Sequence, residues 1–247
     1  MPSLAGVEPA TWPAPAVHAA VLVWSRRVRN EAQSVALAHE LRAVVGSDDP
    51  VLAAALDRLA DDEQSHVELA TAFLAVLGAA PPPPEPALPD HPEPPTLRAL
   101  RCVLTGLAVC ETVSAMRFAT VRAHTDLAAA RACIELFLRD EIAHARLGFL
   151  LLPGAIAARA AEVGDAVTGE IERELGATFR HLDLVVGLDA ERRGLVLARR
   201  AQPPCNAGVV EPALDALAFR DAITRTIVPR LTRLGIDAGT IWSQRWS

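Results

Sequence analysis

Apolar residues recur at three- and four-residue intervals through most of the chain, and each long run predicts an α-helix. From residue 16 to residue 45, Trp24, Val28, Val35 and Ala38 share one stripe. Arg26, Arg29, Glu40 and Arg42 lie off it, and no Arg is expected on it. Glu31 sits in the middle of the stripe. Gly46 to Pro50 reads as a stop followed by a start, with Asp49 as N-cap and Pro50 at the first helical position. The second helix runs to about Leu77, with Leu56, Leu59, Glu63, His66, Ala70 and Phe73 inward. Residues 79–95 are too rich in proline for a helix. As an extended strap at ~3.1 Å per residue they reach roughly 50 Å. A helix of about 28 residues spans ~42 Å, so the strap can run its length.

The third helix is expected over 96–123, capped by Thr96, with Leu104, Leu107, Glu111, Ser114, Ala115 and Phe118 on one face. A turn at 124–126 starts the fourth, with Ile134, Phe137, Glu141, His144, Gly148 and Leu151 inward. Pro153-Gly154 is expected to end it. Further helices are expected near 155–186 and 189–200, then a loop at 201–210. A helix over 211–234, kinked at Pro229, and a short tail helix follow. The implied organisation is an irregular arm (1–15), a helical bundle (16–152) and a C-terminal helical extension (153–247) packed on it. The predicted class is all-α.

Composition narrows the function. Hydrophobic residues make up 51% of the 247 and aromatic residues 4%, which suits close-packed helices. The chain has no Lys and no Tyr, and its net charge of −6 argues against a nucleic-acid surface. The four Cys form no Cys-x-x-Cys, and three of them lie in apolar helical patterns, as reduced core thiols of a cytoplasmic protein do. Met1 to Pro15 lacks the basic start and apolar run of a signal peptide, and no stretch of ~18 uncharged apolar residues is expected to span a membrane.

The chemistry lies in two Glu-x-x-His pairs, Glu63/His66 and Glu141/His144, each preceded by an Asp (Asp62, Asp140). Positions i and i+3 share a helix face. Glu31 stands roughly 17 residues before the first turn, and Glu63 and His66 roughly 15 and 18 after it. Glu111 stands roughly 14 before the second turn, and Glu141 and His144 roughly 16 and 19 after it. In antiparallel hairpins each set shares one height. Four carboxylates in an apolar core cost several kcal/mol each unless neutralised. Two divalent cations match their charge, and carboxylate with imidazole suits iron or manganese.

The pattern Glu, Glu-x-x-His, Glu, Glu-x-x-His resembles the ferritin-like di-iron carboxylate superfamily over residues 16–152. The resemblance implies a ferritin-like four-helix bundle with one long crossover and additional C-terminal helices. It implies Glu31, Glu63, His66, Glu111, Glu141 and His144 as ligands of two iron ions, or manganese, with Glu63 and Glu141 as bridges. Asp62 and Asp140 match the Asp that holds a ligating His in bacterial multicomponent monooxygenases. The absent Tyr argues against a ribonucleotide reductase radical subunit. Ser114, three residues after Glu111, and the lack of Cys-x-x-Cys argue against a rubrerythrin. The segment Arg139 to His144 and the late segment Asp221 to Ile241 are most similar to aldehyde-deformylating oxygenases.

The implied activity is that of an oxygenase or oxidase. It uses dioxygen as co-substrate, a small organic substrate and an external donor such as a ferredoxin or reductase, and the resemblance allows a homodimer. Ferroxidase or iron storage, and a helical scaffold without turnover, stay open as alternatives. Trp24, Phe73, Phe118 and Phe137 read as core, Ser114 and Cys110 as local backbone partners, and His18, His39, His91, His124 and His181 as surface or loop residues.

Overall fold

In a computed structural model the chain is described over residues 2–45, 49–83, 92–187 and 207–246, and all regular structure among the described residues is helical. The elements are α1 (Ala14–Val45), α2 (Pro50–Val76), α3 (Pro95–Arg101), π1 (Cys102–Cys110), α4 (Glu111–His124), α5 (Ala128–Val163) and α6 (Ala166–Val185). After them come α7 (Pro212–Asp221), π2 (Ala222–Ile227), α8 (Val228–Arg233) and α9 (Ala238–Ser243). The expected helix at 189–200 and most of the expected loop at 201–210 lie outside the described residues.

Two compact units divide the chain: residues 1–92, 121–140 and 199–210 form the first, and 93–120, 141–198 and 211–247 the second. In the first, α1 and α2 pair as an antiparallel hairpin. Asp49 caps α2 as its sequence predicts, its Oδ1 accepting from the Val51 and Leu52 amides at 2.9 and 3.1 Å. Arg42–Asp57, Glu31–His66 and Trp24–Phe73 then step down the hairpin in matching order. Trp24 is fully buried, stacks on Phe73 at 3.9 Å and tilts against Phe137 of α5 at 6.3 Å.

Arg27 departs from the expected stripe. It is buried on the same face of α1 as Glu31. Its guanidinium lies 4.4 Å from the Trp24 ring centroid and its Nη2 donates to the Gly208 carbonyl at 2.8 Å. Trp24 Nε1 donates to the neighbouring Ala207 carbonyl at 2.9 Å, so α1 holds residues 207–208 by two side chains.

In the second unit, three expectations are corrected. Thr96 does not cap α3, which starts at Pro94-Pro95; its hydroxyl donates to Glu162 at 2.6 Å instead. Pro153 does not end the fourth helix. It sits inside α5, which runs ten residues further, because a proline removes only one amide donor and the surrounding packing keeps the helix intact. The stop comes at Gly164, whose φ of 60° is the left-handed turn that glycine tolerates. The expected 155–186 helix is therefore split between α5 and α6. Pro229 falls at the start of α8, just after π2, so the wide turns of π2 take up the break without ending the helical run.

Ionic contacts tie the second unit together: Arg101 with Glu174, Arg159 with Glu170 and Arg117 with Asp215, the last two at 2.7 Å. At the C-terminus, Trp242 packs edge-on against Phe179 and Phe219 at 5.4 and 5.8 Å. Asp183 accepts from Arg245 and Trp246 at 2.9 and 2.8 Å.

Two helical stretches, Pro95–His124 and Ala128–Val163, are long and apolar enough to cross a membrane by length and composition, against the expectation of none. The most apolar window of the first is 67% buried, as in a core helix, and that of the second 28%.

Candidate metal centre

The six residues singled out by their spacing are all buried, at 5% exposure or less, and fall into two triads, one in each unit. The first unit holds Glu31 from α1 with Glu63 and His66 from α2. Each offers a ligand atom within 4.8 Å of the others. The α2 spacing places Glu63 and His66 on one face, and the hairpin register brings Glu31 to the same height. His66 Nδ1 lies 3.4 Å from a Glu31 oxygen and 3.3 Å from a Glu63 oxygen.

The other ring nitrogen is held from α5. His66 Nε2 donates to Asp140 Oδ2 at 3.2 Å, and Arg139 grips the same carboxylate with two bonds of 2.7 and 3.0 Å. The ring also meets Phe137 edge-on at 4.6 Å. With Nε2 committed to a carboxylate, the lone pair available to a cation is on Nδ1, which faces Glu31 and Glu63. Asp140 is buried where it meets the His66 ring. Burial raises its carboxyl, but the hydrogen bonds from Arg139 and His66 outweigh this and hold it below the ordinary aspartate value. Asp62, its counterpart on α2, lies 3.8 Å from Arg58 and is partly exposed.

Without metal, protons hold this triad together. Burial pushes Glu31 up to about 7; the His66 hydrogen bond pulls it down, and the charge of Glu63 adds to the rise. Burial alone would lower His66, but hydrogen bonds to Glu31 and Glu63 and their charges raise it to about 10. The group that sits between the carboxylates at neutral pH is thus an imidazolium. A metal ion carries the same kind of charge into the same place.

The second unit holds Glu111 at the start of α4, with Glu141 and His144 from α5. One ligand atom from each again lies within 4.8 Å of the others. Glu111 follows π1 directly, and its amide donates to the Gly106 carbonyl five residues back. In π geometry residues five apart, not four, lie over one another. The α-helical face of Leu104, Leu107 and Glu111 therefore does not continue through this segment. π1 packs closely on α5: a side chain at Gly148 would come within 2.5 Å of the Ala108 backbone nitrogen. Cys110, beside Glu111, is pushed up to about 12 by burial and by the glutamate's charge, and Cys133 to about 11 by burial, so both stay protonated thiols. Cys110 and Cys133 are free thiols among the described residues.

Each triad supplies two carboxylates and one imidazole, a donor set that fits iron or manganese. The structure brings all six residues picked from the sequence into these buried groups, whereas the Arg139 clamp and the π turn before Glu111 were not read from the sequence. The Arg139-Asp140 adjacency is visible in the sequence as a charge pair; the π turn leaves no mark in hydrophobic spacing. Compared with known protein families, curated proteins and solved structures, the chain matches none.

Proposed function

We propose that the two triads together hold a pair of iron ions, or manganese, within a ferritin-like four-helix bundle. On this reading the protein is a non-haem di-iron oxygenase or oxidase acting on a small organic substrate with electrons from an external donor. The observation that carries it is the repetition: two buried triads, each of two carboxylates and one imidazole, set among buried apolar side chains. Six buried ionisable groups of this kind are costly unless they serve a ligand.

Bound, the metal pair supplies the reducing equivalents for dioxygen chemistry. Glu31, Glu63, Glu111 and Glu141 would hold it as anions. His66 and His144 would hold it through a ring nitrogen. Asp140 keeps the His66 proton on Nε2 and fixes the ring plane, and Arg139 fixes Asp140. Phe137 covers the His66 ring with apolar surface and excludes water there.

The test is metal content followed by turnover. Protein loaded with ferrous iron under argon should hold two ions per chain, and Glu31→Ala and Glu141→Ala should each lose that stoichiometry. Two ions retained in both variants removes the ligand assignment. Reduced protein given oxygen should oxidise an organic co-substrate. Ferric mineral accumulating in a cage assembly would favour storage instead, and no bound metal would favour a scaffold.

A further inference from the structure

The chain has four Trp and no Tyr, so indole is the ring in it that gives up an electron most readily. Trp24 stands one phenyl ring from the candidate ligand His66: it tilts against Phe137 at 6.3 Å, and Phe137 meets the His66 ring at 4.6 Å. It is fully buried and stacked on Phe73, so water does not reach it to stabilise charge on the ring.

The groups around this indole oppose loss of an electron, which would leave a positive charge on the ring. The buried Arg27 guanidinium, a permanent cation, lies 4.4 Å from the ring centroid. Two positive charges at that distance, away from water, repel strongly. The Gly208 carbonyl, accepting from Arg27 Nη2 at 2.8 Å, fixes the guanidinium there. A side chain at Gly208 would come within 3.1 Å of the other terminal nitrogen of Arg27. The same charge reaches Cys133, where it counters part of the rise that burial causes. Relief by loss of the indole proton is closed as well. Trp24 Nε1 donates to the Ala207 carbonyl at 2.9 Å, and a peptide carbonyl accepts a hydrogen bond without taking up the proton.

We propose that Arg27 protects Trp24 from oxidation by raising the one-electron potential of its indole. The step opposed is transfer of one electron from the indole to an oxidant produced from dioxygen at the centre. That oxidant would be reduced by one electron, and the indole would become a radical cation with its proton still on Nε1. The protective purpose rests on the dioxygen reading above; the raised potential needs no metal.

Replacing Trp12, Trp242 and Trp246 by Phe leaves Trp24 as the one indole in a chain without Tyr. Its potential is then read on the metal-free protein by square-wave voltammetry, with transient absorption of the indole radical identifying the ring. In that background Arg27→Gln should ease oxidation about tenfold or more, 59 mV for one electron, and Arg27→Lys, which keeps the cation, should stay within about threefold. Because Arg27 also holds Gly208, a second comparison leaves it in place. Trp246 is 49% exposed and its Nε1 donates to the Asp183 carboxylate at 2.8 Å, so a chain keeping only Trp246 should oxidise more readily than one keeping only Trp24. An unchanged potential in Arg27→Gln, or a Trp24 easier to oxidise than Trp246, overturns the proposal. After cycles of ferrous iron and oxygen, peptide mass spectrometry should find oxygen added to Trp24 in Arg27→Gln and not in the wild type. Trp24 oxidised in the wild type marks it as an electron relay and overturns the proposal. A chain that takes up no iron and consumes no oxygen removes the functional reading and the protective purpose with it, while the voltammetry still decides whether Arg27 raises the potential of Trp24.

Discussion

Asp140 is where one side chain's surroundings decide what another can do. It reaches His66 from a different helix, and Arg139 holds it by two bonds. Asp140→Asn keeps the shape but loses the charge that fixes the Nε2 proton. Metal affinity, read by competition with a chelator, should fall about 10- to 100-fold, the usual cost of losing such a partner. Asp140→Glu should recover part of it, and a general loss of folding would not be rescued this way. The same residues predict proton linkage. His66 keeps its proton to about 10 and Glu31 to about 7 in the free protein, and a metal needs both groups deprotonated. Binding therefore releases protons, and affinity for manganese should rise with pH from about 6 to 9. Calorimetry in buffers of different ionisation enthalpy reads the release directly. Binding heats that do not depend on the buffer would contradict it.

At the level of elements, hairpin register was legible because α1 and α2 obey simple counting: Asp49 caps where the sequence says, and Glu31 lands opposite His66. The α5 boundary was not legible. Proline reads as a stop, yet Pro153 lies within α5 and the real stop is Gly164. The π turns were hidden for a different reason. Periodicity assumes 3.6 residues per turn, and Cys102–Cys110 are almost all buried, with Thr105 too little to betray the wider register. The close contact of π1 with α5 carries its own prediction. Gly148→Ala puts a methyl against the Leu107–Ala108 backbone, which cannot move aside as a side chain could. Overpacking of this kind costs about 1–3 kcal/mol, measurable by urea unfolding. Gly169→Ala in α6 has only the Arg173 guanidinium at 3.7 Å, so there the gain in helix propensity, about 0.5–1 kcal/mol, should appear as added stability. Equal effects at the two sites would show that the close approach at Gly148 does not constrain the fold.

For the whole molecule, the candidate site was legible further than the architecture that carries it. Burial of Glu31, Glu63, Glu111 and Glu141 followed from their place on apolar stripes, since a helix that buries its stripe buries whatever lies on it. The buried Arg27 was missed because its partner, the Gly208 carbonyl, is 181 residues away and no local pattern announces it. If the proposed metal pair offsets this interior charge, it should supply a large part of the chain's stability. A metal that binds the folded chain alone, at 1,000 times its dissociation constant, stabilises it by about 4 kcal/mol. For a chain of this length that is a rise in melting temperature of roughly 8–16 °C. Manganese should produce the shift in scanning calorimetry and a chelator should reverse it. Glu63→Ala, which takes a carboxylate from the first triad and leaves Glu111, Glu141 and His144 in place, should show a smaller metal-dependent shift than the wild type. A wild type whose melting temperature ignores both metal and chelator would count against the proposed metal site and leave protons as what balances the interior carboxylates.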